Sequence, residues 1–125
     1  MENEAWIFRV DDTGTVQWMS QITGTSPVKG SKSSDNCLSL TYSQSTGRAT
    51  ALIQTKSPEL RQQNPADNTD FTLITFNTAG NIVNALSVTF GNGNSNLIGF
   101  PNNLFQVNDY QFIVAGMSNG YATKN

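Results

Sequence analysis

The chain opens with two short apolar runs on either side of an acidic and polar break, in Ala5 to Trp18, AWIFRVDDTGTVQW. Aromatic and β-branched residues in such runs mark strands, and the break between them marks a turn. The spacing predicts a three-residue loop Asp12-Thr13-Gly14, with Gly14 taking the positive φ of a bulge. That loop would pair Val10 with Val16 and Phe8 with Trp18, putting Trp6, Phe8, Val10, Val16 and Trp18 on one face. Cross-strand pairs of this kind add roughly 0.2–1 kcal/mol each to a sheet. The pattern returns at Asp70 to Val88, DFTLITFNTAGNIVNALSV, where Gly80 stands in the place of Gly14.

The remaining apolar runs make two more hairpins. Asn36 to Tyr42 alternates Leu38, Leu40 and Tyr42 on one face, turns through Ser43 to Arg48, and returns as Ala49 to Thr55. Leu104 to Val107 and Tyr110 to Gly116 are joined across Asn108-Asp109, residues suited to a two-residue turn. Polar loops at 24–35, 56–69 and 91–96 separate the hairpins, and the tail from Met117 reads as polar and loose. The one helical signal, Pro58 to Gln63, is stopped by Pro65 within two turns.

Two kinds of hairpin therefore alternate, with a period of about half the chain. The prediction is an all-β chain of antiparallel, four-stranded units in two tandem repeats, 1–63 and 64–125. Between the copies Ile7 becomes Leu73, Phe8 becomes Ile74, Asp11 becomes Asn77 and Val16 becomes Ile82. In the second copy one face (Phe71, Leu73, Val83, Ala85) is as apolar as the other (Ile74, Phe76, Ile82, Leu86, Val88). A sheet apolar on both faces is expected to be covered on both.

The segments EAWIFRVDDTGTVQW, DFTLITFNTAGNIVNALSVTFG and YQFIVAGMSNG resemble the blade-type repeats of β-propeller proteins. In those repeats an aromatic-rich strand, an Asp-x-x-Gly turn and a strand ending in Trp alternate with a hairpin closing in Val-x-Gly. Here Asn84 stands where the first copy has Trp18. The resemblance implies a propeller-like fold, as one β domain or a segment of a larger array. It does not imply a function, since such repeats carry enzymes, lectins and scaffolds alike.

Composition narrows the classes further. The 125 residues suit one domain, with 37% hydrophobic residues and only 13% charged. Asn, Thr, Ser and Gln fill the difference, a polar but uncharged surface that points to an extracellular or cell-surface setting. A net charge of −2, with seven scattered Lys and Arg residues, supplies no basic face for nucleic acid. No apolar run reaches the length of a membrane span, and Met1-Glu2-Asn3-Glu4 lacks the features of a signal peptide. Cys37 is the single cysteine, so no disulfide forms within the chain; its apolar surroundings suggest a small buried thiol.

Candidate chemistry is sparse. Asp11 and Asp12 are adjacent in a turn that needs an Asx hydrogen bond, and no spaced acidic series suited to calcium is present. Histidine is absent, which removes Ser-His-Asp and Cys-His nucleophiles and most zinc sites. The glycine-rich run 91–96 lacks the Lys-Ser/Thr of a phosphate loop. No cofactor or metal is expected. The sequence is read as a non-enzymatic structural module that associates head-to-tail with other copies of itself, into a filament or a ring. The expected association face is Trp6, Phe8, Val10, Val16 and Trp18 at the start of the chain, with Tyr110 and Phe112 near its end. The alternative is a carbohydrate-binding module, with Trp6 or Trp18 stacking on glycans.

Overall fold

The computed structural model describes residues 4–22, 35–55, 70–88, 96–97 and 103–118, and every regular element among them is a strand. Strands β1 (Ala5–Val10) and β2 (Val16–Ile22) form the first hairpin. Strands β3 (Asp35–Ser43), β4 (Arg48–Thr55), β5 (Asp70–Phe76) and β6 (Ile82–Val88) form a four-stranded antiparallel sheet in sequence order. A short strand β7 (Asn96–Leu97) pairs with β10 (Met117–Ser118), so the tail begins in a strand. Between them β8 (Leu104–Asn108) and β9 (Gln111–Val114) make the last hairpin. The helical turn expected at Pro58 to Gln63 and most of the long loops lie outside the described residues.

The all-β, antiparallel character is as expected, and so are four successive hairpins. Their grouping differs. The four-stranded sheet joins the second and third hairpins across the expected 63/64 boundary, and the first and last hairpins stand as separate two-stranded sheets. The described strands close no propeller. The reason lies in β4 and β5, which pair in register from Ala49↔Phe76 to Thr55↔Asp70. Both are apolar on both faces, and such strands belong in the middle of a sheet that is covered on each side.

Alternation along β4 and β5 builds two cores. One face carries Ala51, Ile53, Ile74 and Phe76, packed under Ala5, Ile7 and Ile22 of the first hairpin. The opposite face carries Leu52, Phe71 and Leu73, packed with Leu104 of the last hairpin and flanked by Leu38, Phe112 and Val114. The architecture is therefore three layers: hairpin, sheet, hairpin. Burying each large aliphatic or aromatic side chain here contributes about 1.5–3 kcal/mol. Thr50 and Thr75, neighbours across β4 and β5, share a buried hydrogen bond of 2.9 Å. Asp35 accepts one from the Thr55 hydroxyl. Two-sided cover fails at the sheet edges, where Ile82, Val83 and Leu86 of β6 and Leu40 and Tyr42 of β3 stay exposed.

The first and third hairpins turn in the same way. Asp11 Oδ1 accepts from the backbone N–H groups of Thr13 and Thr15, both at 2.9 Å, and Asn77 Oδ1 accepts from Ala79 and Asn81, both at 3.0 Å. Gly14 and Gly80 follow at φ 85° and 83°. In each hairpin the register slips by one residue immediately before the turn, at Arg9/Val10 and at Thr75/Phe76. The loop Asp12-Thr13-Gly14 and the Asp11-to-Asn77 equivalence are thus as expected. The two glycines differ in surroundings: a Cβ on Gly14 meets nothing within 4 Å, whereas one on Gly80 would lie 2.6 Å from the Trp18 ring. Gly14→Ala is expected to cost about 1–2 kcal/mol, the left-handed backbone alone. Gly80→Ala adds a collision with a packed ring and should lower the denaturation midpoint clearly further; equal shifts would contradict that packing.

Candidate functional site

The outward faces of the two outer hairpins dominate the exposed apolar surface. In the first hairpin Val10 pairs with Val16, but a bulge at Gln17 then sets Arg9 opposite Trp18 and Phe8 opposite Met19. The expected Phe8–Trp18 pair does not form. Because the side-chain period of a strand is two, this one-residue slip turns Trp18 to the inner side. There it stacks on Phe76 with ring centroids 5.8 Å apart. The outer face is left with Trp6, Phe8, Val10, Val16 and Met19, of which Trp6 is 48% and Phe8 57% exposed.

The last hairpin repeats this division on the opposite side of the sheet. Leu104 pairs with Val114 and Gln106 with Phe112, facing inward, while Phe105 and Ile113 pair on the outer side. A bulge at Val107 brings Asn108 opposite Gln111, so the turn residues are Asp109 and Tyr110 rather than Asn108 and Asp109. Asn108 Oδ1 accepts the Tyr110 N–H at 2.9 Å. Of the two residues expected here in an association face, Tyr110 is 73% exposed at the turn, but Phe112 is half-buried against the core. Phe105 (72% exposed), Val107 and Ile113 complete the outer face. Sequence reading missed Phe105, Ile113, Val107 and Met19. The first two were signalled by alternation, each standing next to an inward residue.

A polar seam fixes the last hairpin to the sheet. Thr41 Oγ1 donates to Gln106 Oε1 at 3.0 Å, and the hydroxyls of Ser43 and Ser45 both donate to Asp109 Oδ1 at 2.6 Å. Those two hydroxyls hold the Asp109 carboxyl below its usual pKa. A carboxyl with a lowered folded pKa stabilises the fold above its unfolded value, about 3.9, and that contribution is lost as pH falls through the lowered folded value. Acid below about pH 4 is therefore expected to loosen the last hairpin, read from the Ser43 and Tyr110 amide resonances. Asp109→Ala should remove that pH dependence, and an unchanged profile would contradict the seam.

A second feature lies between the first hairpin and the sheet. A cleft of about 420 Å³ opens beside Ile7, Arg9 and Trp18 on the hairpin and Leu40, Tyr42 and Ala49 on the sheet. Its rim includes Phe8 and Val10, with Gly47, Asn77 and Thr78 from the neighbouring turns. Leu40 and Tyr42 share the sheet face that the hairpin covers, yet the hairpin stops short of them and they remain exposed. Cys37 is also exposed, next to the bulge in β3, and is not the buried thiol expected from its neighbours. Among the described residues no group of three or more His, Cys, Asp or Glu could hold a metal ion. No helix among them is long and apolar enough to cross a membrane. Compared with known proteins, the chain matches no protein-family model, no curated protein and no solved structure.

Proposed function

We propose that this protein is a non-enzymatic structural module that stacks head-to-tail with other copies of itself. The observation that carries the reading is the pair of exposed apolar faces on opposite sides of one sheet. Trp6, Phe8, Val10, Val16 and Met19 form the first, and Phe105, Val107, Tyr110 and Ile113 the second. Contiguous apolar patches of this kind mark association sites. The two faces belong to different hairpins, so the contact between one copy and the next is heterologous. It closes into a ring only if the rotation per subunit allows, and otherwise grows as a filament. With 13% charged residues in the chain, little repulsion opposes that growth.

Layering hairpin on hairpin would continue the three-layer order from one copy into the next. The resemblance to propeller blades agrees with this, since blades too pack face to face, and a segment of a larger repeating array would use the same two faces internally. An extracellular or cell-surface filament fits the polar, uncharged remainder of the sequence. Sedimentation over a range of concentration tests the proposal. Species well above the 13.6 kDa chain mass, growing with concentration, are the expected result. A monomer at every concentration would refute it.

A further inference from the structure

We propose that the cleft between the first hairpin and the sheet binds a small amphipathic carboxylate, an apolar body bearing one anionic end. Its walls and its charge come from different sources. Leu40 and Tyr42, each 54% exposed, continue on β3 the sheet face whose β4 and β5 residues are buried under the first hairpin. With Ile7 and the Trp18 ring they form the apolar walls of an open cleft of about 420 Å³, within the roughly 300–1,000 Å³ range of small-molecule sites. Arg9 lies on the hairpin's inner side, directly opposite Trp18, and lines the same space.

The Arg9 side chain has no hydrogen bond or ion pair among the described residues. The nearest acid in sequence, Asp11, is already engaged. Its Oδ1 accepts from the Thr13 and Thr15 backbone and the Thr13 hydroxyl, and its Oδ2 accepts from Gln17 Nε2 at 2.8 Å. Those bonds hold the carboxylate in its own turn and leave the guanidinium fork available. A guanidinium facing a carboxylate makes paired, charge-assisted hydrogen bonds that a neutral group cannot reproduce. Ile7, Leu40, Ala49 and the Trp18 ring make the apolar walls, and at the polar rim Asn77 Oδ1 is already taken by the Ala79 and Asn81 N–H groups, so the cleft favours an aromatic or branched aliphatic body over a sugar. The site shares Phe8 and Val10 at its rim with the first stacking face, but Arg9, Trp18, Leu40 and Tyr42, which define it, lie outside both faces.

Titration with 2-naphthoate, its neutral amide 2-naphthamide, and glucuronate tests the assignment, followed by NMR on the labelled full chain. Naphthoate is expected to shift the Trp18 indole and the Leu40 and Tyr42 amides, and to bind at least ~10-fold more tightly than naphthamide. Arg9→Gln should abolish that preference, and Leu40→Asp, at an exposed position, should abolish binding of both probes. Equal affinity for naphthoate and naphthamide, or a preference that survives Arg9→Gln, would overturn the proposal. So would shifts confined to other parts of the chain, or glucuronate binding as tightly as naphthoate, which would make the cleft a sugar site.

Discussion

Trp18→Ala is expected to cost about 3–5 kcal/mol, while Asn84→Ala, at the equivalent position of the third hairpin, should change stability by no more than about 0.5 kcal/mol. The equivalence is structural: each residue directly follows the bulge after the turn, Trp18 opposite Arg9 and Asn84 opposite Thr75. Their surroundings differ. Trp18 stacks on the fully buried Phe76, presses on Gly80 and joins the core beneath the first hairpin. Asn84 lies on the exposed edge strand β6. A second variant separates packing from hydrogen bonding. The Trp18 Nε1 proton is buried with no acceptor among the described residues, so Trp18→Phe keeps a ring on Phe76 and removes an uncompensated donor. It should recover most of the loss. Urea denaturation midpoints decide the matter: equal shifts for the alanine variants at 18 and 84 would mean that Trp18 does not hold the hairpin to the sheet.

The turns were legible in the sequence because they rest on local chemistry. Asp11 with Gly14, and Asn77 with Gly80, specify one loop geometry through hydrogen bonds from the backbone that reach no further than four residues. The hairpins followed from those turns. What did not follow was the exit from each turn, where a single extra residue, Gln17 or Val83, bulges and reverses every side chain beyond it. Trp18 moved from the outer face to the inner one for that reason, and the same slip at Val107 shifted the last turn by one residue. The grouping of hairpins was hidden for a different cause. Whether β4 pairs with β5 depends on partners brought together by tertiary packing, and two strands apolar on both faces find each other across any polar loop. The apolar start of the proposed association face was visible as a run of large residues. Its counterpart at Phe105 and Ile113 is set by alternation within strands of five and four residues, a weaker signal.

The second large effect concerns those two faces. Trp6→Asp and Phe105→Asp each place a charge in the middle of one apolar face without touching either core. Truncating a central aromatic of an interface commonly costs 2 kcal/mol or more, about a 30-fold loss of affinity, and burying a carboxylate there adds to it. Each variant alone is therefore expected to stop growth and sediment as a folded monomer, with circular dichroism unchanged from the parent chain. Growth that continues through either substitution would remove that face from the contact.

Mixing the two variants tests the head-to-tail contact most directly. Trp6→Asp keeps the last hairpin's face intact, and Phe105→Asp keeps the first hairpin's face intact. If the contact joins these two different faces, an equimolar mixture of the two monomers should form a dimer of one copy of each and stop there. Its mass would be twice the 13.6 kDa of one chain, since both remaining faces carry an aspartate. If the contact instead pairs like with like, the Phe105→Asp chain would dimerise on its own through Trp6 and Phe8, and mixing would add nothing. That result would contradict the account.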